Sequence, residues 1–360
     1  SSGQCVASPY KEKTDICGVL LTSEKTYGRD SSGNKLLYKC VPDDEHLPCF
    51  LIPYEEKQIG FHKTKEDKYI TFRVKEWLET KHPIGLVTNT FGPVNDKEAY
   101  IAYRMACKDL NASLKSLNAM SLRRLRENAL GPIPLYCAGI AIEDRRTESI
   151  ISIDPKGCND IDDAIGVRTT SKGETVLSIY IANVPMMLEY LQLWPYLTER
   201  VATIYLPLTK FPMLPPALSE NMCSLKEKED RVAFVLDINL STMAIKYTST
   251  IIRVEKNYAY DAAELLGRTD YKQMLDIVKG LNATMHYVDK ITNSHELVEY
   301  CMLFMNMECA KALETKKCGI FRSATKTEDY VQCPTDLKCV LQGVAGEYCS
   351  FANRKPHELI

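Results

Sequence analysis

Ser152-Ile153-Asp154-Pro155-Lys156-Gly157-Cys158-Asn159-Asp160-Ile161-Asp162-Asp163-Ala164 packs four carboxylates into ten residues, directly after a β-type apolar run at 150–153. Four like charges in one turn repel strongly in a dry site, so the fold must either leave them solvated or supply a cation. Pro155 and Gly157 bend the chain, bringing Asp154 at the strand end back toward Asp160, Asp162 and Asp163. Oxygen-only donors suit Mg²⁺, with Mn²⁺ as the alternative. Paired ions held by shared carboxylates activate water and stabilise the leaving oxygen of an in-line phosphoryl displacement. The spacing therefore predicts phosphodiester hydrolysis.

Other readings fare worse. An EF-hand loop beginning at Asp160 needs Gly at its sixth position and Glu at its twelfth, where Ile165 and Ser171 stand. A glycosidase draws two carboxylates from distant segments, unlike this local cluster. A solvated acidic turn stays open as the bland alternative. Phosphate-binding Gly loops and the Gly-x-Ser-x-Gly elbow are absent, and His295-Glu296 has no second His to close a zinc motif, which leaves it surface or capping use.

Upstream of the cluster, short apolar runs at 16–22, 28–33, 36–41, 49–53, 59–62, 69–74 and 84–88 alternate with Gly, Pro and Asp, the pitch of a small β-barrel or sandwich. Basic and aromatic residues interleave there (Phe61, His62, Lys63, Lys68, Tyr69, Phe72, Arg73, Lys75, Trp77), a pattern that suits single-stranded nucleic acid as well as any half-buried strand. The period turns helical over 98–130 and breaks at Gly131-Pro132-Ile133-Pro134. Downstream, strands are expected at 176–184, 232–240 and 248–254. Helices are expected at 187–202, 260–267, 270–281 and 294–315, the last with Val298, Met302, Met305, Cys309 and Ala312 on its buried stripe.

Composition bounds the rest. The 360 residues carry 45 Lys+Arg against 47 Asp+Glu, a net charge of −2 that excludes a uniformly basic coat but not a locally basic groove. No stretch approaches the roughly 20 apolar residues of a membrane helix. Fourteen cysteines include no Cys-x-x-Cys, so structural zinc is not expected, and most read as small apolar packers in a reducing, cytoplasmic setting.

The segment 152–164 resembles the signature of the RNB catalytic domain of ribonuclease II, RNase R and the exosome catalytic subunit. A second segment is similar to the same family: Ile204-Tyr205-Leu206-Pro207, then Phe211-Pro212-Met213-Leu214-Pro215-Pro216-Ala217-Leu218-Ser219-Glu220-Asn221-Met222-Cys223-Ser224-Leu225, then Asp230-Arg231. His295 through Asn306 resembles the family's helix after the active site, and residues 48–92 its preceding cold-shock-type domain.

The resemblance implies an α+β architecture: an OB-like, cold-shock-type β-barrel over 1–100, a helical connection over 101–130, and a mixed α/β RNB catalytic domain over 131–360, incomplete at its C-terminus. It implies a hydrolytic 3′→5′ exoribonuclease that degrades single-stranded RNA to nucleoside 5′-monophosphates with Mg²⁺ (or Mn²⁺), and it allows a larger RNA-decay assembly as partner. By the same resemblance Asp154, Asp160, Asp162 and Asp163 are the catalytic metal ligands, and Tyr205 stacks on the nucleotide.

Two departures accompany the matches. Tyr180-Ile181-Ala182-Asn183-Val184 stands where the family has His-Ile-Ala-Asp-Val, which predicts one carboxylate fewer near the site. The sequence also ends at Ile360, before the family's Thr-Ser-Pro-Ile-Arg-Arg segment and S1 domain, so a piece of a longer protein is expected. Phosphate-contacting groups of that kind are typically worth about 10²–10³-fold in rate. A catalytically impaired RNA-binding or scaffold member of the family is therefore the alternative reading.

Overall fold

Short apolar strands in the first hundred residues close a barrel. In the computed structural model, which describes residues 15–55, 65–77, 81–128, 136–137, 139–200, 202–206, 209–324 and 346–353, its strands are β1 (Ile16–Leu20), β2 (Leu36–Pro42), β3 (Phe50–Tyr54), β4 (Lys68–Glu76) and β5 (Ile84–Pro93). The order is β1-β2-β3-β5-β4, closed β4 to β1, with β3 and β5 parallel and the other pairs antiparallel. Leu20, Cys40, Ile52, Ile70 and Phe72 fill it. Helix α1 (Lys97–Cys107), capped by the Asp96 side chain, sets Tyr103 flat on Tyr69, ring centroids 4.4 Å apart.

This corrects two expectations. Residues 28–33 form a turn carrying a single bridge, Arg29 to Leu36, not a strand. Of the interleaved basic and aromatic residues, Phe72 and Tyr69 are core, while Trp77 is exposed; Phe61, His62 and Lys63, with the run 59–62, lie outside the described residues.

The chain divides into two compact units: residues 1–113 with 198–201, and residues 114–197 with 202–360. The helical period expected over 98–130 is two helices, α1 and α2 (Lys115–Asn128), and α2 falls in the second unit.

In the second unit a short ribbon, β6 (Tyr136–Cys137) and β7 (Ile140–Ala141), precedes a seven-stranded sheet built from β8 (Glu143–Asp144), β9 (Ile150–Asp154), β10 (Asp163–Thr169), β11 (Thr175–Ala182), β14 (Asp230–Asn239), β15 (Ile245–Arg253) and β16 (Lys256–Ala259). Between β11 and β14 come helix α3 (Val184–Tyr190) and a second ribbon, β12 (Ile204–Leu206) with β13 (Thr209–Phe211). The sheet order is β16-β9-β10-β11-β14-β15-β8, with only the outermost pairs parallel.

Strand period sorts the core onto both faces. Leu177 and Ile179 of β11 pack toward α5 (Thr269–Thr284) and α6 (Ser294–Thr315), whereas Tyr180 and Ala182 pack on the other side with Ile161, Leu225 and Val235. Helix α4 (Ala263–Gly267) leads into α5, and a hairpin of β17 (Ile320–Ala324) and β18 (Gly346–Ser350) follows α6. The buried face of α6 is Leu297, Val298, Tyr300, Cys301, Phe304 and Met305, one step round from the expected stripe, so Met302 and Cys309 lie at its margin. The helix expected over 187–202 is shorter, because a 3-10 turn at Trp194–Tyr196 replaces its second half.

Candidate active site

Asp154 ends β9, where parallel pairing sets it opposite Ala259 of β16. Its carboxylate accepts a 2.8 Å hydrogen bond from Ser152 Oγ, which in turn accepts one of 2.8 Å from Asn257 Nδ2. The chain then reverses through Gly157, whose φ of +83° is the left-handed conformation that glycine adopts without strain.

The returning loop is held from below by the second matched segment. Buried Ser224 accepts from the Ile161 amide (3.0 Å) and donates to the Asn159 carbonyl (2.8 Å), and the Leu225 amide donates to the Ile161 carbonyl (2.8 Å). The Cys-Ser-Leu piece of the sequence match is thus the floor of the Asp loop. Asp162 follows, its carbonyl accepting from the Ala182 amide, and Asp163 opens β10 opposite Ile181.

These elements gather the four aspartates predicted from sequence, and the electrostatics show the strain of doing so. Burial, and then the charges of Asp154 and Asp162, push the Asp163 carboxyl up to about 7. Burial pushes Asp154 up to about 6, with repulsion from Asp162 and Asp160 adding to it, and Asp162 shifts the same way through burial and Asp160. Asp160 goes the other way: burial would raise it, but a hydrogen bond from the Lys210 ammonium, 3.1 Å away, holds it low.

Asp163 Oδ2 is buried with no hydrogen-bond partner. A buried acceptor of this kind needs a proton or a cation, and an all-carboxylate donor set fits a hard divalent ion such as Mg²⁺ or Mn²⁺. Among the described residues, no three His, Cys, Asp or Glu side chains stand close enough together to hold an ion as they are. The fit rests on donor chemistry and the orphaned oxygen.

Tyr205 lies on β12, with nearly three-quarters of its surface exposed, so it is no core tyrosine. Position 183, where the family's aspartate was expected to leave a gap at the cluster, faces elsewhere. The Asn183 side chain caps α3 through the Met186 amide and donates to Ser249. Tyr180 is fully buried, and its hydroxyl donates to Glu148.

Two neighbours of the cluster escaped sequence reasoning. Lys210 bridges Asp160 and Glu220. Tyr260, just after β16, has its hydroxyl raised by burial and then by Asp163 and Asp154, and it stacks on His295 at 3.7 Å between centroids. The capping use expected of the His295-Glu296 pair falls to Glu296, which forms a reciprocal capping box on α6 with Asn293.

Comparison with known proteins matches residues 142–291 to the RNB domain. The chain carries an RNB domain. Ahead of its RNB domain, residues 37–103 match the Dis3-like cold-shock domain 2 (CSD2). Over 294 residues the chain is 34% identical to the human exosome complex exonuclease RRP44, covering 78% of this chain and 28% of that protein. In fold, it resembles Mycoplasma genitalium RNase R, solved in complex with ribose methylated single-stranded RNA (TM-score 0.62, 18% identity, 87% of this chain and 53% of that one). It also resembles yeast Ssd1, a pseudonuclease (TM-score 0.53, 15% identity, 90% and 43%). The chain spans about a quarter to a third of the length of the DIS3-like exonuclease 2, RRP44 and Ribonuclease R relatives it matches.

Proposed function

We propose that this chain carries the nuclease centre of a hydrolytic 3′→5′ exoribonuclease that shortens single-stranded RNA to nucleoside 5′-monophosphates. The observation that carries this reading is the buried, unpartnered Oδ2 of Asp163 inside a group of four aspartates. Asp154, Asp160, Asp162 and Asp163 would hold Mg²⁺ or Mn²⁺, which when bound supplies an acidified water and charge neutralisation at phosphate. The protein's own part is positional. Ser152 orients Asp154, Ser224 fixes the Asp loop, and exposed Tyr205 offers a face for a base to stack on. The partner is single-stranded RNA, with a larger RNA-decay assembly consistent with the RRP44 likeness. Ten free cysteines among the described residues support a reducing, cytoplasmic setting.

RNA labelled at either end, incubated with Mg²⁺, tests the reading. Labelled mononucleotide should appear at once from the 3′ label and late from the 5′ label, with Asp162→Asn slower by about 10²-fold or more. Equal rates for parent and variant would sink the assignment. A second reading, RNA binding without cleavage, is favoured by one observation, the Lys210 ammonium already seated on Asp160. It predicts retained RNA affinity with no Mg²⁺-dependent release.

A further inference from the structure

Among the described residues, Lys210 is the one cation in ion-pair contact with any of the four aspartates. Its Nζ lies 3.1 Å and 3.3 Å from the two carboxylate oxygens of Asp160 and 3.6 Å from Glu220 Oε1. All three side chains are about one-third exposed, so water and solutes reach the contact. An ion pair this exposed is a weak competitor for a divalent ion, which has twice the charge and prefers oxygen donors.

The ribbon that carries Lys210 adds an independent observation. In the β12–β13 register Lys210 stands directly opposite Tyr205, and directly opposed residues of an antiparallel pair share a face. An ammonium and an exposed aromatic ring thus sit side by side at the rim of the carboxylate group. This is the pairing of phosphate and base contacts used on single strands.

We propose that Lys210 is the resident counter-ion of the carboxylate cluster: it holds Asp160 until a divalent cation takes that carboxylate, and the released ammonium then meets an RNA phosphate next to the base on Tyr205. The inference rests on the metal-assisted reading above and adds an exchange step to it. Charge is conserved through the exchange, because Asp160 passes from ammonium to metal and the ammonium from carboxylate to phosphate. Glu220 keeps the lysine near the rim throughout.

The test uses the full chain and two readouts that do not depend on turnover. Mn²⁺ binding is followed by electron paramagnetic resonance of the free ion. RNA binding is followed as a function of salt with Ca²⁺ as the cation, to slow hydrolysis. Lys210→Met should bind Mn²⁺ about two- to fivefold tighter than the parent, the size of an exposed ion pair. Its salt slope for RNA should shrink by about 0.7, one single-strand phosphate contact. Lys210→Arg, which keeps the charge, should retain the parent slope. Equal Mn²⁺ affinity in parent and Lys210→Met, or an unchanged slope, overturns the exchange while leaving the nuclease reading intact. A parent that binds no Mn²⁺ overturns both.

Discussion

At the scale of single residues, Asp163 is the least compensated group in the cluster. Its carboxyl is enclosed, two neighbouring aspartates repel its charge, and one oxygen has no partner. In metal-free buffer at neutral pH that arrangement works against the folded state, as a buried unpaired polar group typically does by about 1–3 kcal/mol. Asp163→Asn keeps the shape and removes the charge. It should melt higher than the parent in EDTA, by about 2–4 °C per kcal/mol for a unit of this size, and should lose the stabilisation that Mg²⁺ gives the parent. Differential scanning fluorimetry with and without Mg²⁺ checks both parts. A variant that melts below the parent in EDTA would mean that the carboxylate is satisfied as it stands.

At the scale of elements, two features separate scaffold from site. Asn183 caps α3 instead of serving the cluster. Asn183→Asp should therefore leave stability and RNA cleavage near parent values, while Asn183→Ala should cost about 1 kcal/mol in urea unfolding. The second feature joins β8, the turn after it, β10, β11 and β14. Arg145, 1% exposed, makes two hydrogen bonds to Asp237 (2.9 and 2.7 Å), which also accepts from Ser178 (2.6 Å) and Arg168 (3.0 Å). Burial would raise the Asp237 carboxyl, but these donors hold it below its ordinary 3.8. A lowered folded value means that the stabilisation is complete above 3.8 and is lost as pH falls below it. Asp237→Asn should thus flatten the acid limb of the melting temperature against pH. Arg145→Met, which leaves the buried carboxylate only Arg168 and Ser178 as donors, should cost about 3 kcal/mol at neutral pH, the low end for a broken buried pair. The sequence was readable at this scale wherever a pattern is local. The Asp spacing, the alternating barrel strands and the helix from Ser294 to Thr315 all follow from period and composition. The break between α1 and α2 was not, since both halves keep helical period across it.

At the scale of the whole molecule, what was illegible is long-range. Lys210 lies 50 residues from Asp160, and Tyr260 reaches the cluster only because β16 pairs in parallel with β9 after a hundred intervening residues. Neither pairing leaves a trace in local spacing. The net charge of −2 was similarly uninformative, because four of the 47 acidic residues are gathered where a cation would offset them. All four aspartates lie in the second compact unit, none in the barrel unit. A ligand that binds only the folded form stabilises the body that holds it, by about 2.7 kcal/mol at a hundredfold excess over its dissociation constant. Scanning calorimetry of the full chain should therefore resolve two transitions, with Mg²⁺ raising one and leaving the other in place. Asp162→Asn should abolish that shift without moving the second transition. A single transition that Mg²⁺ moves as a whole would mean that the two units unfold as one cooperative body, and an unmoved profile would mean that the aspartates hold no cation in the free protein.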